Sequence, residues 1–306
     1  MNHTRTGIDV VVTSFNQGLF IREAVMSAAA QTLRPNSIVV VDDGSTDPAS
    51  LEILAQLERE FNPSAGVVLR VIRQSNAGPS AARNAGIRAT DGRYVCVLDG
   101  DDRLKPTFLE RTAAQLDANP MAVAASGWMS TFGILESEVR PTGGRIEAFL
   151  ARNCCPATCL IRRDVYGKTD GYDETMRSGF EDWDCSLSLL EAGGEGASVD
   201  IVPEPLIEYC TAPTSPNITS MDKRLELMRF IIGKHQESYR AHVADALCGI
   251  EAISIDRLNR WERAVRQCQD LASGPDAEPG TADFMAHPTY GDGGMAAAVR
   301  LRSAGV

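Results

Sequence analysis

Two short acidic runs in the 306-residue chain have the residue types and spacing for chemistry: Asp42-Asp43-Gly44-Ser45 and Asp99-Gly100-Asp101-Asp102. Each follows a run of β-branched or apolar residues, so five carboxylates should gather where two strands end. At neutral pH they would repel one another unless a cation or hydrogen-bond donors sit among them. A hard divalent cation meets that need, since magnesium takes one or two carboxylates together with phosphate oxygens. Between the runs lies Asn76 to Gly86, a glycine-containing loop that opens a helix. Its first turn could accept an anion, and Arg83 offers a fork suited to phosphate. The loop lacks both the Gly-Lys-Ser/Thr ending of a Walker A segment and the GxGxxG spacing of a dinucleotide site. Further on, Glu181-Asp182 opens a helix at Trp183, where a carboxylate could take a proton from a hydroxyl. Taken singly, each motif has a plainer reading, because Asp, Ser and Gly form capped turns. Acidic residues at a helix N-terminus also interact favourably with the helix dipole.

Position is what raises these motifs above turns. Apolar runs at Ile8–Thr13, Ser37–Asp42, Val67–Ile72 and Tyr94–Leu98 read as strands covered on both faces. Helical patterns lie between them at Leu19–Thr32, at Leu51–Phe61 after the Asp47-Pro48 start signal, and at Ser80–Ala89. This βαβαβαβ alternation predicts an α/β fold with a mostly parallel sheet and right-handed crossovers. The ligand crevice of such a sheet lies beyond the carboxyl ends of its strands. Thr13-Ser14-Phe15-Asn16, Asp42 to Ser45 and Asp99 to Asp102 should therefore share one crevice.

Past residue 100 the pattern loosens. Helices are expected at Thr107–Ala118 and Trp183–Ala192, with extended segments at Ala122–Ala125, Ala157–Ile161 and Ala197–Tyr209. Thr211 to Asn217 has the composition of a linker. Leu225, Met228, Ile232, His235 and Tyr239 then recur at helical spacing, followed by one or two helices over Leu247–Leu271. The expected organisation is one α/β domain over 1–210, a helical extension over 211–272 and a disordered tail over 273–306. His235 and His242, seven apart, are too far along a helix to share a metal, and Cys154, Cys155 and Cys159 are assigned no chemistry.

The chain carries 30 Lys+Arg against 41 Asp+Glu, a formal charge of −11, which argues against a phosphate-backbone binder such as a nucleic-acid protein. No secretory core or spanning segment is read from the sequence, so a cytoplasmic location is expected. The basic helix from Met221 leaves a peripheral membrane role open. A homodimer through the C-terminal helices is the commoner use of such a face.

In chain order, Val12 to Asn16, Val40 to Asp47, Asn76 to Gly86, Leu98 to Asp102, Gly171 to Glu174 and Gly179 to Asp184 together resemble a family-2 inverting glycosyltransferase. The resemblance covers residues 7–210 and implies the GT-A fold, a Rossmann-like α/β domain that uses a nucleotide-diphosphate sugar, with UDP-sugar favoured. It implies that Thr13 and Phe15 border the nucleobase, Asp43 accepts from the base, and Arg83 approaches the diphosphate or sugar. It also implies that Asp99 and Gly100 face the ribose side, that Asp101 and Asp102 hold Mn²⁺ or Mg²⁺, and that Asp182 is the general base with Glu181 as its partner. The acceptor is an unidentified hydroxyl on a glycan, lipid-linked glycan, natural product or protein. The alternative is a non-catalytic sugar-nucleotide-binding or assembly subunit with the same fold. A nucleotidyltransferase is disfavoured by the absence of a Gly-rich basic motif after the first strand.

Overall fold

The computed structural model describes residues 7–61, 66–212, 220–271 and 286–303. Its first hundred residues form the expected alternation: β1 (Ile8–Ser14), α1 (Phe20–Ala29), β2 (Ser37–Asp42), α2 (Pro48–Glu60), β3 (Val68–Arg73), α3 (Pro79–Arg88) and β4 (Tyr94–Asp99). These strands are parallel, in the order β3-β2-β1-β4. Side chains alternate across a strand, so Val10 and Val12 join one core while Val11 joins the other. Ile21, Val25 and Leu54 of α1 and α2 cover the first face, and Ala82 and Ile87 of α3 cover the second. The start of α2 follows its sequence signal, with Pro48 in the first turn and the Asp47 carboxylate accepting the Ser50 N–H at 2.8 Å.

Two expectations in this half need correction. Strand β3 is a sheet edge rather than doubly covered, with Val68 54% exposed, and Arg73 of its outer row pairs with Glu58 of α2. In α2, where the spacing of Leu51, Leu54 and Leu57 predicts one stripe, the buried stripe is Ile53, Leu54 and Leu57, while Leu51 faces solvent.

The sheet continues through β8 (Cys159–Arg162), β6 (Ala122–Gly133), β9 (Ser198–Thr211) and β5 (Arg103–Leu104), with β7 (Glu138–Val139) on the side of β6. Here β8 runs antiparallel to both neighbours while β6 and β9 are parallel. The whole is a mostly parallel sheet with a mixed second half. Helix α4 (Phe108–Ala118) packs on the first face; α5 (Ile146–Phe149), α6 (Arg163–Tyr166) and α7 (Glu181–Gly193) supply Phe149, Val165, Trp183 and Leu187 to the second.

Beyond the sheet come α8 (Arg224–Lys234), α9 (Gln236–Ala241) and α10 (Val243–Leu271). The expected period is present but the buried face is not the expected one: Leu227, Ile231 and His235 are buried, whereas Leu225 is 73% exposed. His235 sits at the break between α8 and α9, held inward by Asp184 and Glu191 (3.0 and 2.9 Å), so a polar contact sets which face turns in. Most of the expected linker lies outside the described residues, as do 273–285 and 304–306 of the expected disordered tail. Residues 286–303 differ from that expectation. They form a strap and a helix, α11 (Gly294–Ser303), with Met295, Ala296, Ala298 and Val299 buried. No helix among the described residues is long and apolar enough to cross a membrane.

Candidate functional site

A cleft of about 640 Å³ opens at the carboxyl ends of β1, β2 and β4. Register explains the convergence, because Thr13 of β1 lies level with Asp99 of β4, and Ser14 lies level with Asp42 of β2. Thr13, Phe15, Asp43, Arg83, Asp99, Asp101, Asp102, Glu181 and Asp182 all line the cleft. Gly100 does not. It packs behind the wall, where a Cβ would stand 2.5 Å from the Thr13 carbonyl oxygen and 2.2 Å from Gln17 Oε1. A residue without a side chain lets β4 turn closely against the end of β1 there.

Asp43 ties two elements together. Its Oδ1 accepts from Gln74 Nε2 and the Ala77 N–H, and its Oδ2 accepts the Gly78 N–H, each at 2.8 Å. A carboxylate has about four acceptor positions, so Oδ2 retains one for a donor in the cleft. Phe15 is 48% exposed at the same rim, an aromatic face held out to solvent.

Arg83 is placed differently from a phosphate clamp. Its Nη2 donates to both oxygens of Asp99 (2.9 and 3.1 Å) and its Nη1 to Glu181 Oε1 (2.8 Å), with only 3% of the side chain exposed. Burial disfavours its charge, but Asp99 and Glu181 more than offset this and hold the guanidinium firmly protonated. Arg83 thus links the strand-end motif to the helix-start motif. Thr13 Oγ1 donates to the same Asp99 at 3.1 Å. Next to Arg83, Asn84 exchanges hydrogen bonds with the Tyr172 backbone and donates to Glu174, which fixes the Gly171–Glu174 segment to α3.

Asp101 and Asp102 diverge in partners. Gln17 donates to Asp101 at 3.2 Å, and the Cys210 N–H of β9 donates to Asp102 at 2.8 Å. Burial and the charge of Asp99 push Asp101 up to about 6. Burial and the charges of Asp101 and Asp99 raise Asp102 well above the usual carboxylate range. Crowded, desolvated carboxylates of this kind suit a divalent cation. Among the described residues no group of three His, Cys, Asp or Glu side chains could hold an ion alone. A cation held by Asp101 and Asp102 would need further oxygens from outside the protein to complete its coordination.

The three acidic residues in the first turn of α7 have three separate environments. Glu181 takes Arg83, Asp184 takes Lys234 and His235 (2.8 and 3.0 Å), and Asp182 lines the cleft. Asp184 is fully buried in these pairs and ties α7 to the C-terminal helices. The turn enters through Gly179 (φ 106°) and Phe180 (φ 68°), a left-handed conformation unusual for an aromatic residue. Asp182 Oδ2 accepts from Asn153 Nδ2 at 2.9 Å, and Oδ1 accepts the Trp183 N–H at 2.8 Å. Burial, then the charge of Glu181, raises Asp182 to about 7. Trp183 is fully buried and donates to the Phe149 carbonyl at 2.7 Å, which anchors this turn.

Several wall residues lie outside the expected site residues. Asn153, Phe180, Tyr290, Met221, Arg177 and Arg224 complete the cleft. Tyr290 donates to the Cys155 carbonyl at 3.1 Å, and Arg224 donates to the Gly291 carbonyl at 3.1 Å. The positive φ at Phe180 is the feature that marks this wall, and it is a property of the fold rather than of composition. Trp128 does not line the cleft; Arg140 stacks on its ring at 4.6 Å.

A model of glycosyl transferase family 2 matches residues 9–169, just over half of the chain. Among relatives, the uncharacterized glycosyltransferase EpsJ of Bacillus subtilis is 31% identical over 121 residues, 40% of this chain and 33% of its own length. The uncharacterized glycosyltransferase YibD of Escherichia coli is 36% identical over 130 residues, 42% and 36% respectively. These alignments thus span about a third of the relatives' length. Among solved structures, S. aureus TarS 1–349 superposes with a TM-score of 0.56 at 20% identity, over 79% of this chain and 71% of that one. The same protein in complex with UDP-GlcNAc gives 0.54 at 17% identity, over 77% and 73%. At these identities the likeness is one of fold.

Proposed function

The chain belongs to glycosyl transferase family 2, and from that premise we propose that it transfers a sugar from a nucleotide-diphosphate donor to a hydroxyl acceptor with inversion. The observation that carries this reading is the Asp99–Arg83–Glu181 bridge. It couples the strand ends, where a nucleotide would lie, to the turn that presents Asp182. UDP-sugar is the favoured donor, supported by the UDP-GlcNAc complex of a neighbour with the same fold.

In this reading Phe15 offers its ring to the base, and the open acceptor position on Asp43 Oδ2 takes a base N–H. A divalent cation held by Asp101, with Asp102 beside it, would supply positive charge to the diphosphate. Arg83 is a positioning residue. Arg177, whose side chain has no ion pair among the described residues and reaches 3.7 Å from the Gly78 Cβ position, stands at the start of α3 for the diphosphate. Asp182 takes the proton of the attacking hydroxyl; a carboxylate near 7 is both ionised enough and basic enough for this task at neutral pH. Asn153 holds the second oxygen and aims the group.

The test is UDP release from UDP-sugars with and without Mn²⁺, paired with thermal denaturation. A ligand that binds only the folded state raises the midpoint. Metal-dependent UDP release that accelerates with an acceptor supports the transferase. A midpoint shift without turnover supports the non-catalytic binder, and no shift with any donor overturns the reading.

A further inference from the structure

A second cavity of about 270 Å³ lies beside the cleft and shares only Asn153, Thr289 and Tyr290 with it. Its wall contains Arg140, Arg152, Arg260 and His287, with Glu138 as the one acidic residue. Arg140 is paired with Glu138, and Arg260 with Asp256 from its own helix. The half-buried Arg152 side chain has no hydrogen bond or ion pair among the described residues. In a chain of net charge −11, this concentration of cations is opposite in sign to the carboxylate-lined cleft next door.

The placement is specific. The cavity touches none of the strand-end residues, and it meets the cleft at Asn153, the side chain that donates to Asp182. Phe15, Asp43 and Asp101 line the cleft but not this cavity, so a group bound there sits apart from the strand-end wall. A hydroxyl compound reaching Asp182 from this side passes the three shared residues. An anion on that compound would be repelled by the cleft carboxylates and attracted by the guanidinium groups, whose forks match phosphoryl and carboxylate oxygens.

We propose that the Arg140–Arg152–Arg260 cavity is an anion subsite for the acceptor, holding a phosphoryl or carboxylate group while the acceptor hydroxyl reaches Asp182. The proposal rests on the transferase reading for the identity of the ligand, but not for the existence of the site. It makes the acceptor an acidic molecule, a sugar phosphate or a uronate, rather than a neutral glycan.

Inorganic phosphate titrated in the presence of saturating UDP probes the cavity alone. The wild-type midpoint is expected to rise with phosphate, and Arg152→Ala/Arg260→Ala should lose that rise. Where the double variant does not fold, Arg152→Gln keeps the bulk and removes the charge. In transfer assays, Arg152→Ala should raise KM for a sugar-phosphate or uronic-acid acceptor about tenfold or more, as expected for a lost charge-assisted bond, with KM for a neutral glycoside unchanged. Preference for one anion over the other identifies the group. An identical phosphate response in wild type and variant overturns the subsite, as does an equal KM change across all acceptors. Absence of any transfer by the wild type removes the transferase reading, while the phosphate titration still decides the cavity.

Discussion

Along the strand-end wall, Thr13, Phe15, Asp43, Asp99, Asp101 and Asp102 each lie within three residues of a strand terminus, and parallel register brings those termini level. The facing wall has no such rule. It gathers Asn153 from the loop before β8, Phe180 from a left-handed turn, Arg224 from the start of α8 and Tyr290 from the C-terminal strap. The first wall is determined by the sheet and tolerates little change in spacing. The second depends on long-range contacts between segments that have no shared element. Arg83 crosses from one to the other, which makes it the point where the two can be uncoupled.

The largest effect should come from Asp182→Asn. General base catalysis contributes about 10²–10⁴-fold, so kcat for transfer should fall by that order while UDP affinity is retained. In the wild type, activity should rise with pH through about 7, as Asp182 ionises. The stability sign is opposite. A folded-state pKa raised above the unfolded value gives stability that is present at low pH and lost as pH passes about 7. The Asn variant should therefore melt no lower than wild type at pH 8. Full transfer activity in this variant would remove Asp182 from the mechanism.

Arg83→Met separates the walls. Asp99 and Glu181 would be left without their cation, and breaking a buried pair costs about 3–5 kcal/mol. Asp99 keeps 29% of its side chain exposed, so the lower end, about 3 kcal/mol, is expected in urea denaturation. Rescue of stability by Arg83→Lys without rescue of kcat would show that the two-sided fork, not the charge, positions the base.

The contrast between the walls also explains what the sequence disclosed. The strand-end motifs were readable because the same residues that end a strand project into the crevice, so local pattern and function coincide. Glu181-Asp182 reads as a helix start, but the three directions of this turn do not show in sequence, because they depend on partners 29 to 98 positions away. The strap departs from its expectation for a physical reason. Its composition predicts disorder, yet at Gly291 (φ 76°) a Cβ would stand 1.9 Å from the Asn153 carbonyl oxygen. There glycine permits a close approach, which composition cannot distinguish from looseness. The sequence shows the Arg83 fork but not its protein partners, because a buried, doubly paired arginine and an exposed one look alike in sequence.

Behind the second wall, His235 supplies a smaller, pH-dependent effect. Burial works against its charge, but Asp184 and Glu191 raise it to about 9. Its folded pKa lies above the ordinary 6.5, so the stability it contributes is complete below that value and is lost as pH rises through about 9. Glu191 is partly exposed, so a loss of about 2 kcal/mol is expected between pH 6.5 and 9.5. His235→Gln should flatten that part of the stability profile while the strand-end wall keeps its UDP affinity. An unchanged profile would mean that α8 is held by its buried Leu227 and Ile231 and by the Lys234–Asp184 pair without help from His235.

The smallest effect is expected at Tyr290→Phe. The variant removes one hydrogen bond to the Cys155 carbonyl and keeps the partly buried ring, at a cost of about 1 kcal/mol. In a domain of this size that lowers the melting midpoint by roughly 2–4 °C. Cys155 donates its backbone N–H to the side chain of Asn153, which in turn donates to Asp182. A strap that merely adds stability would lower the midpoint and leave kcat alone. A strap that forms part of the wall should also shift the pH at which activity rises, because loosening Asn153 alters the surroundings of the base. The pH profile of Tyr290→Phe therefore separates the two roles even where the change in stability is slight.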